Sequence, residues 1–192
     1  MTKTENFIQV EITSSAELRD WLLHNHSQKE SIWLVTFKKE VPEKYVSIQE
    51  VLDQLLCFGW IDGIRRKLDH ERTMQLIAPR KVEHWSQTYK VRFAKLEEAG
   101  LVQQSGFNSV IASKNAGLWD FMDDVDNLII PEDLTTALHE NKPAMDYFIA
   151  FSASNKRFIL RYIKLAKTAE TRKKRIIQVS TLAAQNKKIP GL

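Results

Sequence analysis

The sequence predicts an α+β fold: a small N-terminal β-α-β unit and hairpin forming a sheet with helices, followed by a helical C-terminal region. Three observations carry this. Ile8, Val10 and Ile12 alternate with Gln9 and Glu11, the period of two of a half-buried strand. Ser14 with Glu17 and Ser47 with Glu50 are capping-box pairs, each ahead of apolar residues at helical spacing. Beyond Val102 no segment has strand character, whereas five segments read as helices.

Taken in order, the strand at residues 8–12 leads into a helix carrying Leu18, Trp21 and Leu22 and ending near Asn25. Residues 31–37, Ser-Ile-Trp-Leu-Val-Thr-Phe, are apolar without alternation, as expected of a central strand covered on both sides. Pro42 marks a loop. The next helix carries Ile48, Val51, Leu52, Leu55 and Leu56 on one stripe, and Gly59 is placed to end it in the left-handed conformation. Trp60–Leu68 and Thr73–Ala78 read as a strand pair closed by Pro79-Arg80-Lys81. Trp85, Tyr89, Phe93 and Leu96 recur at helical period, with Gly100 as the stop. Helices are expected over 107–114, 131–139, 143–151, 155–167 and 171–185, with Pro131 and Pro143 at first helical positions, where the missing amide costs least. The pattern divides the chain into an α+β domain, 1–100, and a helical region with a basic tail, 101–192, packed on the first.

The 192 residues contain 43% hydrophobic and 27% charged side chains, with only 6 Gly and 5 Pro, so most of the chain is expected to be ordered. Residues 1–7 show no apolar signal core, and no apolar run approaches the roughly 20 residues that span a bilayer, so a cytoplasmic protein is expected. The single Cys57 excludes an intramolecular disulfide and a multi-cysteine metal cage. The net charge of +4 hides an asymmetry: residues 1–153 carry 17 basic and 23 acidic side chains, residues 154–192 carry 11 basic and one acidic. Such segregation implies a partner for the basic tail, either external or the acidic remainder of the same chain.

Several strings resemble the YdeI/OmpD-associated, or bacteriocin-protection, family. They are Trp21-Leu22, Ile32-Trp33-Leu34, Leu56-Cys57-Phe58-Gly59-Trp60-Ile61-Asp62-Gly63, Pro79-Arg80 with Trp85-Ser86, Ile130-Pro131-Glu132-Asp133-Leu134, Ser154-Asn155-Lys156-Arg157, and Ala166-Lys167 with Glu170-Thr171-Arg172 and Arg175-Ile176. The resemblance implies a role in protection against bacteriocins or cationic antimicrobial peptides and a link to an outer-membrane porin, with no defined reaction. Two positions depart from the family pattern: Glu83-His84 stands where a serine is expected, and Tyr89 where an asparagine is expected.

Candidate chemistry is limited. Trp60, Asp62, Lys67, Arg80 and Trp85 could line one anion- or peptide-binding cleft, the arginine offering a planar fork. The structural alternative is that Asp62 satisfies backbone amides at a turn and Trp60 fills the core. Cys57 has no histidine near it in sequence and reads as a small buried hydrophobe. His24, His26, His70, His84 and His139 show no metal-ligand spacing, and no glycine-rich phosphate motif occurs, so neither metal nor cofactor is expected. The tail combines an apolar stripe of Phe158, Ile159, Tyr162 and Ile163 with a basic patch, Arg172, Lys173, Lys174 and Arg175, which suits a nucleic-acid backbone or an anionic surface. Three functions follow as expectations: the resemblance implies a non-enzymatic protection protein, which would attract a cationic peptide or protein to its acidic portion; the tail suits a nucleic-acid-binding module; and Asp62 with Arg80 would suit a small-molecule enzyme.

Overall fold

The structure, a computed structural model, describes residues 7–189; residues 1–6, which include most of the segment without a signal core, and 190–192, the end of the tail, lie outside the described residues. The chain forms two compact units, one through Asp120 and one from Phe121. The α+β reading holds, with the sheet in the first unit and, among the described residues, helices and no strand in the second.

The first unit contains β1 (Gln9–Glu11), α1 (Ser15–Asn25), β2 (Ile32–Phe37), α2 (Ile48–Cys57), β3 (Trp60–Lys67), β4 (Arg72–Pro79), α3 (Gln87–Glu98) and α4 (Gln104–Asn115). The sheet runs β1-β2-β4-β3, with β1 parallel to β2 and the other pairs antiparallel. All six residues of β2 are buried, as the uninterrupted apolar run predicts for an interior strand. One face carries Ile32, Leu34, Ile77 and Trp60, which pack with Leu18, Leu22, Val51, Leu55 and Phe93 in a single core. On the other, the Arg66 guanidinium lies 5.4 Å from the Trp33 ring and the Lys44 ammonium 5.0 Å from that of Phe37, so cationic stems cover apolar surface.

Both capping boxes start helices, with one difference. Ser47 and Glu50 cap reciprocally, whereas Glu17 reaches past Ser14 to accept from the Thr13 amide. Gly59 has φ +70° and ends α2 as expected. Ile8 is 64% exposed, because β1 begins only at the next residue and the core reaches no further than Val10 and Ile12.

The second unit comprises α5 (Asp123–Asp126), α6 (Glu132–Glu140), α7 (Ala144–Ala150), α8 (Ala153–Lys164) and α9 (Ala169–Ala184). The long α9 packs on α6, α7 and α8 through Ile176, Val179 and Ala183. The single turn α5 has no apolar period, which is why the sequence pattern misses it. Pro131 and Pro143 sit one residue earlier than expected, at the N-cap, where the amide is likewise outside the helical ladder. In the predicted stripe of α8, Ile159 and Ile163 are buried but Phe158 is 39% exposed, its place inward taken by Leu160.

Candidate functional site

The polar residues of β3 and β4 meet on the helix-covered face of the sheet. Asp62 pairs with Ile77 and Arg65 with Gln75, so β3 advances three residues while β4 advances two. This bulge returns Arg65 to the face that Asp62 occupies, although three residues of regular strand would turn it to the opposite one. A hydrogen-bonded chain results: Arg65 Nη2 donates to Gln75 Oε1 at 2.6 Å, Gln75 Nε2 to Asp62 Oδ2 at 3.2 Å, and the Tyr89 hydroxyl from α3 to Asp62 Oδ1 at 2.7 Å. Burial, the hydrogen bond to Asp62 and its charge push the Tyr89 phenol up to about 12.

Arg80 lies beside this chain, just past β4, with its amide donating to Gly59 O. Its side chain is 3% exposed, with the guanidinium carbon 4.1 Å from the Trp85 ring centroid and 5.3 Å from that of Tyr89. Its charged neighbour Glu83 approaches Nη2 to 3.3 Å and is itself 37% exposed. Nε and Nη1 of Arg80, Nε1 of Trp85 and Oε1 of Glu83 are buried atoms without a hydrogen-bond partner. Burial holds the Arg80 guanidinium below its ordinary pKa, opposed by nearby Glu83, Tyr89 and Asp62.

Of the five residues suggested for a cleft, the structure thus brings Asp62, Arg80 and Trp85 together around Tyr89. Trp60 is buried in the core, its indole donating to His26 O at 3.1 Å and its ring edge-on to Trp21. Lys67 is exposed at the far end of β3, five residues from Asp62 and about 15 Å away at strand rise. Gln75 had no sequence signal, because a glutamine within a strand pattern does not disclose which face it takes.

A second feature lies at the open edge of the sheet. A groove of about 680 Å³ between β1 and α1 has Val10, Ile12, Ala16 and Trp21 along it, with Glu11, Glu17, Asp20 and His24 also lining it. Trp33 N donates to Ile8 O and Ile12 N to Val35 O, so the β1 backbone groups facing β2 belong to even-numbered residues. Those of Gln9 and Glu11 face outward, and among the described residues no strand pairs with them. Glu17 is held below the usual carboxylate range by the amide and hydroxyl of Thr13, while Asp20 is 75% exposed.

The charges divide differently from the sequence halves. Residues 1–120 carry 16 basic and 16 acidic side chains, and residues 121–192 carry 12 and 8. The acidic excess therefore lies in residues 121–153, within the same unit as the basic tail. Arg172 makes a bidentate pair with Asp133 at 2.7 and 2.9 Å, Lys164 meets Asp124 at 2.5 Å, and Lys174 meets Glu170 at 2.7 Å. Arg175 stacks on Tyr162, 4.3 Å from its centroid, and Lys173 is exposed. Cys57 is fully buried, and burial pushes its thiol pKa up. Among the described residues no group of three or more His, Cys, Asp or Glu could hold a metal, and no helix is long and apolar enough to cross a membrane.

Residues 10–109 match a family described as a domain of unknown function, DUF8412. Residues 127–186, inside the second unit, match the family described as bacteriocin-protection, YdeI or OmpD-associated. No curated protein and no solved structure matches the chain.

Proposed function

From the premise that this chain belongs to the domain family of unknown function matched over residues 10–109, and carries a bacteriocin-protection, YdeI or OmpD-associated segment at 127–186, we propose that it is a non-catalytic protection protein that captures cationic amphipathic peptides. The observation that carries this reading is the groove beside β1. An extended peptide could add to the outward-facing groups of Gln9 and Glu11, place apolar side chains against Val10, Ile12 and Trp21, and meet the exposed carboxylate of Asp20, while Glu11 stays paired with Arg72 and Glu17 with Thr13. The groove replaces the acidic N-terminal surface expected from the halves of the sequence, because residues 1–120 are neutral overall.

Titration of the protein with a labelled lysine–leucine peptide tests it. Saturable binding at low salt is expected, weakened at least tenfold by Asp20→Lys and by Gln9→Pro. Proline at position 9 removes an outward-facing donor and leaves the ladder to β2 in place. Absence of saturable binding, or binding indifferent to both substitutions, would refute the reading.

The alternative, nucleic-acid binding by the tail, is favoured by the 11 basic and one acidic side chains of residues 154–192. Engagement of Arg172, Lys174 and Lys164 with carboxylates weighs against it. Nucleic-acid affinity that falls by about 0.9 log units per decade of salt for each phosphate neutralised would support it.

A further inference from the structure

We infer that Arg80 forms the base of an occluded carboxylate-binding site whose resident stopper is Glu83. Arg80 is buried, yet Nε and Nη1 lack partners, as does Nε1 of the stacked Trp85. Buried polar groups in native proteins are nearly always hydrogen-bonded, so the two orphan donors of Arg80, with a third on the ring stacked against it, call for an occupant. All three are donors, and a matching ligand is therefore an acceptor. The first turn of α3 adds positive potential: Ser86 caps it without a side-chain hydrogen bond, and Trp85 and Tyr89 on either side of that cap both approach the Arg80 guanidinium.

Glu83 marks the way in. Its Oε1 lies 3.3 Å from Nη2 without forming a hydrogen bond, and it is partly exposed where Arg80 is not. Replacing this carboxylate by one from a ligand leaves the local charge unchanged. That count selects a monoanion: Arg65 and Arg80 set against Asp62 leave one positive charge, which one carboxylate balances and a phosphate dianion would exceed. Both oxygens of Asp62 are taken by Tyr89 and Gln75, so Glu83 is the carboxylate free to leave.

The test uses Glu83→Gln in the full chain, which keeps the side-chain size and removes the competing charge. Its unfolding midpoint is followed by tryptophan fluorescence while acetate replaces chloride at constant ionic strength. A saturable acetate-dependent rise is expected, at concentrations at least tenfold lower than in the unsubstituted protein, and lost in Arg80→Lys/Glu83→Gln. Alanine tripeptide with a free or an amidated C-terminus separates the sources: a response to the free form alone points to a chain terminus, equal responses to acetate and the free form to a small carboxylate. No acetate-specific shift in Glu83→Gln, or the same shift without Arg80, would overturn the inference and leave the site to water. Should the double variant not fold, the Trp85 indole N–H resonance in Glu83→Gln decides; if acetate leaves it unmoved, the inference fails. Lysine–leucine peptide binding at the β1 groove is expected to be unchanged in Glu83→Gln, so the two ideas fail separately.

Discussion

Substituting Gly106 by alanine sets helix propensity against packing, and the structure decides the sign. Gly106 lies within α4, where alanine favours an exposed helix by about 0.5–1 kcal/mol. A Cβ built there, however, stands 2.5 Å from Cys57 O, 2.9 Å from Leu56 O and 2.9 Å from Val102 Cγ1. The first two are backbone atoms at the end of α2 and cannot turn aside as a flexible side chain would. Gly59 makes the reciprocal approach, with a notional Cβ 2.6 Å from Ser105 O, so the end of α2 and the start of α4 interlock. Relieving the contact separates the two segments and weakens the hydrogen bond from Gln103 N to Cys57 O, now 2.9 Å. Overpacking costs about 1–3 kcal/mol, and rigid backbone oxygens at 2.5 and 2.9 Å put this site at about 2–3 kcal/mol, leaving a net loss of about 1–2 kcal/mol after the propensity gain. All five tryptophans lie between residues 21 and 119, so tryptophan fluorescence in a urea series reports the first unit alone. A lower urea midpoint at unchanged slope, with a melting point lower by about 4–8 °C, is expected. A raised midpoint would refute the argument and show that the helices part without loss.

Two further substitutions probe the polar contacts. Tyr89→Phe should cost about 1–2 kcal/mol, because Asp62 loses a donor in a part-buried place. The raised phenol pKa stabilises the fold below pH 10, and that contribution is lost as pH rises toward about 12; absorbance of tyrosinate should lose its latest step in Tyr89→Phe. Asp133→Asn should cost the second unit about 0.5–1 kcal/mol, since the pair with Arg172 is partly exposed. Asp133 is held below its ordinary value of 3.8 by hydrogen bonding from Arg172, so the stabilisation is present above that pH and lost on further acidification; circular dichroism of both proteins across pH 2–7 should converge at the acid end.

Much of the first unit was legible because its signals are local. The Ser47–Glu50 box, the left-handed Gly59 and the unbroken apolar run of β2 each depend on residues within one element. The polar cluster was not legible in full. Asp62, Arg80 and Trp85 could be named, but Lys67 stands apart; Gln75 joins through the register that sets Asp62 opposite Ile77, and Arg65 only because a bulge reverses the side-chain alternation of β3. The charge asymmetry was visible as a count, yet the count did not disclose that the acidic excess belongs to the unit containing the basic tail.

By itself, then, the sequence determined most of the elements, the Ser47–Glu50 cap, the α+β class and the bacteriocin-protection resemblance of residues 127–186, since propensity, capping and periodicity act over a few neighbouring residues. Only the tertiary structure decided which groups share a face, which carboxylates meet which cations, and that Arg80 is enclosed with two of its nitrogens unpartnered. Those outcomes depend on register and on contacts between residues far apart in the chain, where a one-residue shift changes the side of the sheet on which a side chain falls.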